Sequence, residues 1–163
     1  MVSVVTKEQD VVLLVEDDSA LRDFVKEILT KEKFTVYTAA DGKDGIQQAV
    51  ALIPDLILLD IHMPKLDGVT FCRAIRAGKD TKDVPIIVIT AFNSRDRLEA
   101  AITAGADDFI GKPFDVDDLV FRVRAMLKWK HIPDHVERIQ RYILTLRQPR
   151  PAPTKRHAPP PQG

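Results

Sequence analysis

Four short runs of uninterrupted apolar residues constrain this chain most, because each stops abruptly at a hydrophilic residue. Residues 11–15 (VVLLV) stop at Glu16-Asp17-Asp18, and Asp55-Leu56-Ile57-Leu58-Leu59 stops at Asp60. Residues 86–89 (IIVI) stop at Thr90, and the weaker Asp108-Phe109-Ile110 stops at Gly111-Lys112-Pro113. A run this short that is apolar on both faces suits a parallel strand buried between two layers of helix. Residues 34–38 (FTVYT) are β-branched and aromatic and read as a further strand at an edge.

Helical spacing fills the intervals. After Ser19, read as an N-cap, come Leu21, Phe24, Val25, Ile28 and Leu29. Asp41-Gly42 opens a helix with Ile46, Ala49 and Val50. Asp67 caps one with Val69, Cys72 and Ile75, Ser94 one with Leu98, Ala101 and Ile102, and Asp115 one with Leu119, Val120, Val123 and Leu127. Strand and helix thus alternate five times. The expected class is α/β, a doubly wound five-stranded parallel sheet with helices on both faces.

The expected organisation is an N-terminal extension over 1–9, one domain over 10–130, an amphipathic helix within 131–147, and a tail over 148–163. Val136, Ile139, Ile143 and Leu146 supply that helix's apolar stripe. Six prolines in the tail predict a disordered or polyproline-like segment.

Composition narrows the function. The 163 residues hold 24 Lys+Arg against 24 Asp+Glu and one cysteine. That excludes an internal disulfide and every multi-cysteine metal site. No apolar run reaches the ~18 residues of a membrane-spanning helix, and the first ten residues turn acidic without a signal-peptide core. A cytoplasmic protein is expected. The zero net charge hides a division: from His131 onward six basic residues face two acidic ones, so residues 131–163 carry +4 and residues 1–130 carry −4.

In an open α/β sheet, ligands bind beyond the carboxyl ends of the strands. Glu16, Asp17, Asp60, Thr90 and Lys112 all stand there. Carboxylates ~4 Å apart repel by about 4 kcal/mol at an effective dielectric near 20. Protonation or a cation must relieve them, and a small hard cation with oxygen ligands describes Mg²⁺. Carboxylates, metal, ammonium and hydroxyl together describe a phosphoryl site, in which a carboxylate can itself be the nucleophile.

With LLVEDDSALR, LLDIHMPKLDG, VITA and GADDFIGKPF in that order, residues 10–130 resemble the receiver domain of bacterial two-component response regulators. The resemblance implies strand order 2-1-3-4-5, as in flavodoxin-like folds. It also implies Asp60 as phosphoacceptor, with Glu16, Asp17, Asp60 and the backbone carbonyl of His62 around Mg²⁺. Thr90 would be the switch hydroxyl, Lys112 the phosphate-pairing lysine, Phe109 the aromatic that turns inward on activation, and Pro113 the proline after a cis peptide. The implied partner is a histidine kinase or histidine phosphotransfer protein. The implied output surface is the fourth helix, fifth strand and fifth helix. Such a protein is a phosphoacceptor switch rather than an enzyme. The family's transcription-factor branch dimerises through that surface. Asp108 and Arg122 match one of its salt bridges, while Leu98 and Thr103 stand where charged partners are usual. The residues after the fifth helix are too few for a DNA-binding module, so a stand-alone or truncated receiver without direct nucleic-acid contact is expected.

Plainer readings accompany these. Asp18 reads as a cap or a solvated acid, Asp67 as a structural cap, and Cys72 as inert core. His131, His135 and His157 read as surface residues. Phe109 and Lys112 taken alone would be core and surface. The alternative functions are a pseudo-receiver that binds partners without phosphorylation, an aspartate-nucleophile phosphatase and a nucleotide- or flavin-binding domain. The phosphatase needs Asp-x-Asp where this chain has Asp60-Ile61-His62. The nucleotide-binding domain needs a glycine-rich loop where Glu16-Asp17-Asp18 stand.

Overall fold

A computed structural model describes residues 8–63, 65–91 and 95–150. Its elements run β1 (Val11–Val15), α1 (Ser19–Lys31), β2 (Thr35–Ala39), α2 (Gly42–Leu52), β3 (Leu56–Asp60), α3 (Gly68–Ala77), β4 (Ile86–Ala91), α4 (Arg95–Thr103), β5 (Asp108–Lys112), α5 (Val116–Lys128) and α6 (His135–Leu146). The sheet is parallel with order β2-β1-β3-β4-β5. This is the expected doubly wound α/β architecture with one additional C-terminal helix.

The uniform apolarity of the strands follows from the two layers they separate. Val12, Leu14, Leu56, Leu58, Ile87 and Ile89 pack with α1 and α5. Leu13, Val15, Ile57, Leu59, Ile86 and Val88 pack on the opposite side with residues of α2, α3 and α4. Successive residues of one strand therefore serve opposite half-cores. At the amino-terminal rim, carboxylates take strand amides. Asp55 Oδ2 accepts the Val11 N–H at 2.8 Å, and Asp107 Oδ2 accepts the Ile86 N–H at 2.8 Å.

Side-chain caps start five helices. Asp18 accepts from the Leu21 amide, Asp41 from Asp44, Asp67 from Thr70, Asp115 from Asp118 and Asp134 from Glu137. The first of these agrees with the reading of Asp18 as a cap and corrects that of Ser19. Ser19 is already inside α1, and the longer Asp18 side chain reaches the free amide. Ser94, the expected cap of α4, lies outside the described residues, as do positions 1–7 of the N-terminal extension and 151–163 of the tail.

The amphipathic stripe expected on α6 is also corrected. Arg138, Tyr142 and Thr145 are buried, Ile139 and Leu146 are half-buried, and Val136 and Ile143 are exposed. Polar partners elsewhere in the chain, the Asp83 carbonyl, the Asp108 carboxylate and the Trp129 indole N–H, take up these side chains, so local apolar spacing does not decide which face docks.

Candidate active site

Register brings the strand ends together. Val15 lies opposite Leu59, Asp60 opposite Ile89, Thr90 opposite Gly111 and Ala91 opposite Lys112. Glu16, Asp60, Thr90 and Lys112 consequently emerge along one rim. Glu16, Asp17 and Asp60 each offer a carboxylate oxygen, and these oxygens lie within 4.8 Å of one another. Glu16 and Asp60 are buried while Asp17 is exposed.

Lys112 reaches into this group. Its Nζ is 3.3 Å from Asp60 Oδ2 and 3.5 Å from each carboxylate oxygen of Glu16. Asp60 Oδ1 accepts the His62 backbone N–H at 2.9 Å, which fixes the carboxylate plane and leaves the other oxygen toward the lysine. Burial, reinforced by the negative charge of Asp60 and opposed by Lys112, pushes the Glu16 carboxyl up to about 8. One ammonium does not balance three carboxylates, and the raised Glu16 carboxyl expresses that excess of negative charge. A hard cation with oxygen ligands fits the same need, and three carboxylates open on the Asp17 side are a suitable donor set for one.

The remaining residues surround this centre. Thr90 is buried, and its hydroxyl donates to the Ala91 carbonyl at 3.2 Å. Phe109 points outward and is 42% exposed, although its sequence pattern alone reads as core. The Lys112–Pro113 peptide is cis. Asp67 caps α3 and is not among the three clustered acids. His131 and His135 are exposed, His135 with its ring 3.3 Å from Asp107, while His157 lies outside the described residues. Cys72 is fully buried on the apolar face of α3, and burial pushes its thiol up to about 11. Sequence reading missed Arg97, whose Nη1 lies 3.1 Å from His62 Nδ1. It also missed Arg76, which ties α3 to the start of β5. Neither stands at a strand end or in a recognisable spacing. The only sequence signal for Arg76 is an arginine on a helix that is otherwise apolar on its inner face.

Acids and a lysine gathered at the switch point of a 2-1-3-4-5 sheet place this chain among the doubly wound α/β domains that hold polar ligands beyond their strand ends. The class narrows further by sequence. The chain belongs to the response regulator receiver domain family, whose pattern matches residues 12–124. It is 41% identical over 118 residues to the DNA-binding dual master transcriptional regulator RpaA of Synechocystis, covering 72% of this chain and 48% of that protein. The chain thus spans about half the length of the curated relatives it matches. A putative response regulator from Chloroflexus aurantiacus superposes with a TM-score of 0.70 at 32% identity, covering 74% of this chain and 98% of that one. The receiver domain of the sensor histidine kinase PA1611 from Pseudomonas aeruginosa superposes with a TM-score of 0.67 at 32% identity, covering 75% and 98%. That structure has a magnesium ion coordinated in its active-site cleft.

Proposed function

We propose that this receiver accepts a phosphoryl group on Asp60 from a phosphohistidine of a histidine kinase or histidine phosphotransfer protein. The observation that carries the reading is the convergence of Glu16, Asp17 and Asp60 with Lys112 at one rim. An Asp60 carboxylate oxygen attacks phosphorus in line, the donor's N–P bond breaks, and the departing imidazole keeps the bonding pair and takes a proton. Lys112 meets the phosphoryl oxygens from one side, and the Thr90 hydroxyl turns from the Ala91 carbonyl to donate to one of them. Mg²⁺, when held by Glu16, Asp17, Asp60 and the backbone carbonyl of His62, supplies the charge neutralisation that phosphoryl transfer requires.

The product is a switch rather than a released compound. An acyl phosphate at Asp60 adds about −1.5 to −2 charges beside Lys112. Phe109, now exposed, is the aromatic that would turn inward as Thr90 moves. The surface of α4, β5 and α5 would carry that change to a protein partner. The domain is read as 10–130, and the site as cytoplasmic. Among the described residues no helix is long and apolar enough to cross a membrane. Incubation with acetyl phosphate and Mg²⁺ should add one phosphoryl group by intact mass, and Asp60→Asn should abolish it. Undiminished labelling of that variant would overturn the assignment.

A further inference from the structure

Helix α6 lies outside the span that matches the receiver family, and it docks in an unusual manner. Its buried side chains are Arg138 (3% exposed), Tyr142 (2%) and Thr145 (9%), while Val136, Ile143 and Leu144 are 63%, 42% and 57% exposed. Four polar contacts hold it, one of them His135 Nε2, 3.3 Å from Asp107 Oδ1. The Tyr142 hydroxyl donates to Asp108 Oδ2, the same oxygen that Arg122 Nη1 holds at 2.7 Å. Arg138 Nη2 donates to the Asp83 carbonyl at 3.0 Å, and Trp129 Nε1 donates to Thr145 Oγ1 at 2.9 Å. Arg138 Nε is buried and has no partner among the described residues. The Tyr142 ring, Ile139 and Leu146 also pack on the core, but the directional polar contacts make the docking sensitive to small displacements of their acceptors.

One of those acceptors, Asp108, sits on the strand that ends at the proposed phosphoacceptor site. Asp108 begins β5 and Lys112, 3.3 Å from Asp60, ends it. β5 is an edge strand paired only with β4, so it is free to shift on its outer side. An open cleft of about 420 Å³, lined by Asp108, Phe109, Pro113, Phe114, Asp118 and Arg122, joins the Tyr142 anchor to the exposed aromatic. Arg150, just beyond α6, pairs with Asp118 in the lining of that cleft at 2.6 Å.

We propose that the β5–α5 face is a docking surface occupied by the chain's own α6, and that β5 couples release of α6 to phosphorylation of Asp60. This inference rests on the phosphoacceptor reading. New charge on Asp60 redirects Lys112, the strand follows its last residue, and the Asp108 carboxylate leaves the position at which it holds both Tyr142 and Arg122. The helix held in the unphosphorylated protein is then loosened, uncovering Asp108 and Arg122.

The chain carries its own reporter, since Trp129 is its one tryptophan and lies under the Arg141 guanidinium, 5.5 Å from ring centre to Cζ. The test follows amide hydrogen exchange and Trp129 emission in the full chain, with and without beryllofluoride and Mg²⁺ as the acyl-phosphate mimic. Protection of the amides around Asp60, together with α6 amides exchanging at least ~5-fold faster, the lower end of common allosteric couplings, supports the proposal. Trp129 emission should shift in step. Tyr142→Phe should speed α6 exchange without the mimic, and should tighten mimic binding by the factor lost from α6 docking, as reciprocity demands. Protection at Asp60 with α6 exchange unchanged or slowed overturns the coupling and leaves the phosphoacceptor reading intact. No protection at Asp60 overturns both.

Discussion

Replacing Arg76 with alanine should destabilise this domain more than its position on a helix surface suggests. The guanidinium makes five hydrogen bonds. Two go to the Gly105 carbonyl (3.0 and 2.7 Å), one each to the Lys82 (3.0 Å) and Val84 (2.6 Å) carbonyls, and one to Asp107 Oδ2 (3.0 Å). The Asp107 side chain is 1% exposed and that of Arg76 21%. Loss of Arg76 leaves a buried carboxylate supported by the Ile86 amide and the half-exposed His135 ring. Removing one partner of a buried pair destabilises by about 3–5 kcal/mol, a large part of the ~5–15 kcal/mol of an ordinary domain. The deficit should depend on pH. Burial raises the Asp107 carboxyl above its ordinary range even with Arg76 lowering it, and Arg76→Ala raises it further. The folded variant then binds this proton more tightly than the unfolded chain, so protonation stabilises it as pH falls through the raised value. Urea unfolding at pH 7.5 and pH 5.5, followed by circular dichroism, should show the Arg76→Ala deficit shrinking at the lower pH. Adding Asp107→Asn should recover part of it at pH 7.5. A loss below ~1 kcal/mol at pH 7.5, or a deficit that grows on acidification, would refute the reasoning.

Three further outcomes are expected. Cys72, fully buried with its thiol pushed up to about 11, should not react with a thiol reagent at pH 8 until the chain is unfolded; prompt stoichiometric labelling of the native protein would contradict this. A Cβ at Gly68 would come within 2.7 Å of Ile61 Cα, so Gly68→Ala should lower stability by about 1–3 kcal/mol, and an unchanged denaturation midpoint would show the backbone can yield there. Asp17→Asn should weaken Mg²⁺ binding by about tenfold, roughly 1.4 kcal/mol, in calorimetric titration, whereas equal affinity would remove Asp17 from the metal-binding set.

The strands and their order along the chain were legible because an apolar run cut short by an acid or lysine is a strong local signal. Glu16, Asp60, Thr90 and Lys112 were legible for the same reason, since strand ends converge by topology. Arg76 and Asp107 were not. Their contact joins residues 31 positions apart, and an arginine among apolar helix residues has several readings until its acceptors are known. Helix α6 was found, but its buried face was misread. Apolar spacing favoured Val136 and Ile143, whereas Asp83, Asp108 and Trp129 on other elements supply the contacts that turn Arg138, Tyr142 and Thr145 inward.

Strands that are apolar on both faces are poor at counting. Where one face is polar, a slip of one residue drives charges into the core and is rejected; where both are apolar, hydrophobicity alone scarcely notices. In this sheet the numbering is kept at the rims. Asp55 on the Val11 amide and Asp107 on the Ile86 amide act as pegs at one end, and Lys112 between Glu16 and Asp60 pins the other. The acids at the carboxyl rim therefore also act as alignment marks for the strands they end.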